Sequence, residues 1–163
     1  MNKLALLKIR LDRIAGSLGN IKGIKIPPAQ LKEITELSDI ALDKNFHYGT
    51  SKAGSFGYIA NQHSAQFALS VISFGETNIE KISDAVHQGW ATAFRKVKDP
   101  AYDNKEIDEK TGLTKGEKKY NARKALADKK YSQLEEGEKK KDRVVAIAIL
   151  EWAKENGWVG KNK

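Results

Sequence analysis

The chain has 163 residues, 40% of them hydrophobic and 31% charged, a balance that sustains one sizeable core and excludes wholesale disorder. It holds no cysteine, which removes disulfides, thiolate metal sites and a cysteine nucleophile. The net charge of +8 favours polyanionic partners such as nucleic acid, a nucleotide or an acidic protein, but most lysines are interleaved with Glu and Asp, as on a solvated face.

Met1–Ser17 mixes apolar and basic residues without the continuous apolar run of a secretory signal. The longest apolar run, Val144–Leu150, falls far short of the roughly 20 residues that span a bilayer. A cytoplasmic protein with no membrane partner is the expectation.

Leu4, Leu7, Leu11, Ile14 and Leu18 recur at steps of three and four, which predicts an amphipathic helix with a narrow stripe. Lys3, Lys8, Arg10 and Arg13 lie off the stripe. The stripe suits packing on the body of the protein or on a second copy, and the basic face suits a membrane surface or nucleic acid. Gly16, Gly19 and Gly23 weaken the helix towards its end.

Pro27 and Pro28 open a second helix, expected to run to Asp43 with Leu31, Ile34, Leu37 and Ala41 inward. Lys44–Gly57 breaks the periodicity and mixes glycines with Phe46, His47, Tyr48 and Phe56. It fits a surface connection with aromatic anchors or a loop that cradles a ligand; it has neither Walker A nor G-x-G-x-x-G spacing. Tyr58–Phe74 is a helix of small and apolar residues, stopped by Gly75 at C′. Thr77-x-x-Glu80 reads as a capping box for an amphipathic helix over Ile79–Val97, which ends before Pro100.

Asp99–Leu113 is an expected loop, with room at most for a minor β-hairpin. Thr114-x-x-Glu117 is a second capping box, opening a charged helix to about Lys129. Tyr131–Leu134 forms an apolar clip. A last helix runs from about Glu135 to Asn156, closed by Gly157 at C′ and Trp158 at C″, and the Lys161–Lys163 tail should fray. The expectation is an all-α compact bundle of five to six helices in one domain over 1–163. Its parts are an N-terminal helix or arm (1–26), a helical pair with a Gly-rich loop (28–75) and a helical module (76–159).

Catalytic signals are absent. His47, His63 and His87 show no metal-ligand spacing, no G-x-S-x-G elbow occurs, and no carboxylate pair stands out from the lysines. No enzyme activity, metal or cofactor is expected. His87 and Trp90, three residues apart, are neighbours on one helix face and the best polar–aromatic pair.

Val86–Trp90 (VHQGW) and Tyr131–Leu150 (YSQLEEGEKKKDRVVAIAIL) together resemble the RyR domain, the module named from ryanodine receptors and found also in small bacterial and phage proteins. The matching residues are His87, Trp90, Tyr131, Leu134, Glu138, Lys139, Asp142 and Arg143, followed by an apolar helix through Ala146 and Leu150 to Gly157. The likeness covers about residues 79–158. It departs from the family in the middle, where a Lys-rich helix replaces a Gly-Trp-Tyr-Gly-like hairpin.

The resemblance implies a helical module for recognition, of phage or bacterial origin, acting in a bacterial host's cytoplasm if phage-encoded. The function expected from it is non-enzymatic binding of a small anionic, nucleotide-derived ligand, by sensing or sequestration. Arg143 would meet phosphate, Trp90, Tyr131 or Trp158 would stack on a base, and His87 would donate to phosphate or ribose. The competing reading makes Asp142–Arg143 a local ion pair and Tyr131 a core cap. Two other functions stay open: a phage structural or assembly protein forming a homo-oligomer through Leu4–Leu18, and nucleic-acid binding through Lys3–Arg13 and Lys115–Lys130.

Overall fold

A computed structural model describes residues 24–163. The Leu4–Leu18 stripe, its basic face and the self-association they suggest lie outside the described residues. Within them the fold is all-α: helices α1 (Pro28–Phe46), α2 (Phe56–Ser73), α3 (Ile79–Lys96), α4 (Lys115–Ala127) and α5 (Glu136–Glu155), with short 3-10 turns at Pro100–Asp103 and Tyr131–Gln133. Among the described residues no helix is long and apolar enough to cross a membrane.

α2 is the central element. Phe67, Ala68, Leu69, Val71 and Ile72 are all buried, and the main core joins them to Ile34 of α1, Ile82 and Val86 of α3, and Val145, Ile149 and Trp152 of α5. α2 and α3 approach closely because Gly89 has no side chain: a Cβ there would lie 2.6 Å from the His63 carbonyl oxygen and 2.7 Å from Ser64 Cα. Ser64 Oγ donates across this contact to the Val86 carbonyl at 2.9 Å. A smaller core of Phe56, Ala60, Ala91, Phe94 and Ala127 holds α4 against α2 and α3.

Gly75 forms a full Schellman closure, and Gly157 makes the 6→1 bond of one. Gly75 (φ 106°) donates to Ile72, and Glu76 to Val71. Gly157 (φ 72°) lets the Trp158 N–H reach the Ala153 carbonyl at 2.9 Å, and buries the Trp158 ring. The Thr114 cap is also present: its hydroxyl accepts from the Glu117 N–H and donates to the Glu117 carboxylate, both at 3.0 Å.

Other boundaries depart from the expectation. α1 continues one turn beyond Asp43, to a left-handed His47 (φ 57°) whose N–H bonds the Asp43 carbonyl. Ser55 caps α2, so that helix begins before Tyr58, at Phe56. The cap of α3 is Asn78, not Thr77, and Glu80 is not its capping-box partner, because the Glu80 carboxylate is taken by distant groups. The minor hairpin shrinks to one antiparallel bridge, Ile107–Thr114. The tail does not fray: Gly160 and Asn162 donate to the Ile72 and Ser73 carbonyls at 3.0 and 2.7 Å, supplying acceptors at the end of α2 with donors that the helix itself lacks.

Candidate functional site

A cavity of about 420 Å³ opens between α1, the 47–57 connection, α2, α3, α4 and α5. That size suits a small ligand. His87 and Trp90 form an aromatic wall of the cavity, with Phe94 and Phe56 packed behind Trp90 in the smaller core. His87, Trp90 and Phe94 sit one turn apart on α3, with His87–Trp90 centroids 6.3 Å apart and planes at 13°, and Trp90–Phe94 at 6.1 Å and 12°. Phe56 meets Trp90 edge-on at 6.4 Å.

The rim comes from the 47–57 connection, pinned by α1. Asp43 accepts from the Gly49 N–H at 2.7 Å, and buried Asp39 accepts from the Ser51 N–H at 2.8 Å and from Asn61 Nδ2 at 3.1 Å. The connection is thus a fixed cavity wall, presenting Tyr48, Gly49, Thr50 and Ser51. Two cations complete the lining. Arg123 lies 4.2 Å over the Phe56 ring and donates to Asp99 at 2.7 Å and to the Tyr102 hydroxyl at 3.1 Å. Lys141 bonds Glu138 at 3.0 Å with its ammonium 5.5 Å from the Tyr48 ring centre.

Asp142 and His87 face each other here. His87 Nε2 donates to the Lys129 carbonyl at 2.7 Å, which leaves Nδ1 towards Asp142 Oδ2 at 3.9 Å. The distance is that of an ion pair, but the environment opposes one. Burial pushes the His87 imidazole below its ordinary pKa, and burial, reinforced by the Glu138 charge, holds the Asp142 carboxyl up at about 8. At neutral pH the pair is a neutral imidazole beside a protonated acid. Among the described residues nothing comes within hydrogen-bonding distance of the Asp142 carboxyl, so a largely buried acid faces the cavity unpartnered.

Tyr131 and Arg143, also expected at the site, are tied up elsewhere. Arg143 grips Glu80 with two donors, Nη2 to Oε1 at 2.8 Å and Nε to Oε2 at 2.9 Å, and Nη1 bonds Glu136. The Tyr131 hydroxyl donates to Glu80 at 2.7 Å. Hydrogen bonds from Arg143 and Tyr131 draw Glu80 down to about 2. Burial, then the hydrogen bond to Glu80, pushes Tyr131 up to about 12, so it stays a phenol. This clasp binds the start of α3 to the 131–133 turn and α5.

The four expected residues therefore divide. His87 and Trp90 line the cavity; Tyr131 and Arg143 do not. Asp142 and Arg143 do not pair with each other, and Trp158 is buried with its indole N–H on Gln30 at 3.2 Å. The sequence reading passed over Asp39, Asn61 and Arg123 as cavity residues and placed Asp142 only in the RyR-like pattern. Asp142 carries a readable signal: it stands three residues before Val145 and seven before Ile149, a polar residue extending the apolar stripe of α5. Asp39 and Asn61 have no such signal, because only the fold brings α1 and α2 to one wall.

No protein-family model matches the chain, and no curated protein or solved structure matches it.

Proposed function

We propose that this protein binds a small nucleotide-derived molecule in the cavity, base end inward, and acts by recognition rather than by chemistry. The unpartnered Asp142 carboxyl beside the His87–Trp90 wall carries the reading. A nucleobase offers what that corner lacks: a flat face for Trp90 and a ring edge of donors and acceptors for a protonated acid and for Asn61. Arg123 and Lys141 would meet a ligand phosphate or ribose at the rim.

Relative to the expectation from sequence, stacking stays with Trp90, while Tyr131 and Arg143 pass from ligand contacts to scaffold. The RyR-like pattern is part of the proposal, its Tyr131 and Arg143 serving the clasp and its His87, Trp90 and Asp142 the cavity. The charges of α4 favour a small ligand over nucleic acid. Lys115, Lys118 and Lys124 bond Glu106, Asp108 and Asp128 at 2.8, 2.6 and 2.6 Å, leaving that face largely neutralised.

A thermal-shift panel of nucleobases, nucleosides, nucleotides and cyclic nucleotides tests this. A ligand at a hundredfold excess over its Kd should add about 2.7 kcal/mol of stability. It should also quench the fluorescence of the wild type and leave that of Trp90→Phe unchanged. Flat melting across the panel sinks the proposal, as does a ligand whose affinity survives both Trp90→Phe and Asp142→Asn.

A further inference from the structure

We infer that the groove on the other side of His87 is a separate binding site for a small polyphosphorylated molecule, held by Arg95, Lys129, Lys130 and Lys139. The His87 ring divides the two spaces: Nδ1 looks towards Asp142 in the cavity, while Nε2 bonds the backbone of Lys129 in the groove. The groove has a volume of about 650 Å³ and lies between α3, the end of α4 and the 131–133 turn. This is room for more than one phosphoryl group.

The charge balance is what marks it. Five cations line the groove: Lys81, Arg95, Lys129, Lys130 and Lys139. Three carboxylates, Glu80, Asp84 and Asp128, face them. Two of these are already matched by cations that do not line the groove, Glu80 by the two-pronged Arg143 and Asp128 by Lys124 at 2.6 Å. Asp84 accepts from Gln88 at 3.1 Å, and its burial favours the uncharged form.

By contrast, Lys129, Lys130 and Lys139 have no carboxylate within 4.0 Å among the described residues. Arg95 donates to the Ala127 carbonyl at 2.9 Å and lies 4.0 Å from Asp128, whose carboxylate is held more closely by Lys124. Concave surfaces with an excess of one charge concentrate counter-ions, and a guanidinium beside several ammonium groups suits phosphoryl oxygens.

Calorimetric titration of the full chain with inorganic pyrophosphate, and separately with inorganic phosphate, at 150 mM NaCl decides it. Saturable binding of one pyrophosphate is expected, at least tenfold tighter than phosphate. Lys130→Gln/Lys139→Gln should weaken it at least tenfold, and Lys130→Glu/Lys139→Glu should abolish it. Lys110→Glu/Lys154→Glu, which makes the same charge change as the Glu pair away from the groove, should leave it intact. Asp142→Asn should also leave it intact, which separates this site from the cavity. No saturable binding, equal weakening by groove and control variants, or retention of an oligonucleotide without pyrophosphate binding would each overturn the inference.

Discussion

Asp142 and Arg143 are adjacent on α5, yet they end in opposite circumstances. Consecutive helical residues point about 100° apart, so neighbours in sequence enter different surroundings. Arg143 reaches Glu80, Glu136 and the Tyr131 hydroxyl and is saturated with partners. Asp142 is turned into the cavity without a hydrogen-bond partner, the His87 ring 3.9 Å away. The clasp is a structural element because its hydrogen bonds are made. The cavity is a candidate site because one of its polar groups is not. An Asp-Arg pair read as one unit hides this difference.

The two regions should respond to pH with opposite sign, and this gives the largest expected effect. The Asp142 carboxyl titrates at about 8 in the folded chain and near the ordinary carboxylate value when unfolded. The folded state then binds the extra proton between those values, so stability falls as pH rises through that window, by about 1.4 kcal/mol per pH unit. Between pH 5 and pH 8 this amounts to about 4 kcal/mol of lost stability. Denaturant melts should show that loss in the wild type and a clearly smaller pH dependence in Asp142→Asn, where His87 and Asp84 still titrate; Asp142→Asn becomes the more stable protein at pH 8.5. Parallel profiles would remove the distinction between the two regions.

Gly89→Ala tests the packing that sets the cavity wall. The added methyl meets backbone of α2, which cannot swing aside as a side chain would, so α2 and α3 must separate. Overpacking of this kind costs about 3 kcal/mol, at the upper end of its ordinary range. The Tm should drop and the fluorescence of Trp90 should shift, while the clasp, at the other end of α3, keeps its acid response.

That acid response is the smallest effect. Glu80 is held at about 2 by Arg143 and Tyr131. A depressed carboxylate stabilises above its unfolded pKa and loses that contribution as pH falls towards the folded value. Glu80 is more than half exposed, so solvent screening keeps the gain modest. Wild type should lose its advantage over Glu80→Gln between about pH 4.5 and pH 2, read as converging Tm values. An unchanged gap across that range would mean that the clasp contributes nothing electrostatic.

Much of the fold was legible in the residues. Gly75 and Gly157 marked helix ends because only a residue without Cβ takes the left-handed turn readily, and Thr114 marked a start through its side-chain acceptor. Two of the errors lie where a nonlocal partner competes with a local pattern. Glu80 matched a capping box but bonds Arg143, 63 residues away. The basic tail looked frayed but closes the end of α2.

The site was half legible. His87 and Trp90 stood out because helical spacing makes them neighbours, and both line the cavity. Tyr131 and Arg143 carry the same chemistry in sequence, and nothing local says that Glu80 will occupy them.

The sequence by itself determined the helices, the stops at Gly75 and Gly157, the Thr114 cap and the wide apolar face of α5, because periodicity and capping are local properties of the chain. Only the tertiary structure decided which polar groups are spent and which are left over. That balance depends on which faces of α1, α3 and α5 meet, and at Asp142 and Arg143 a single residue step along α5 separates the two outcomes.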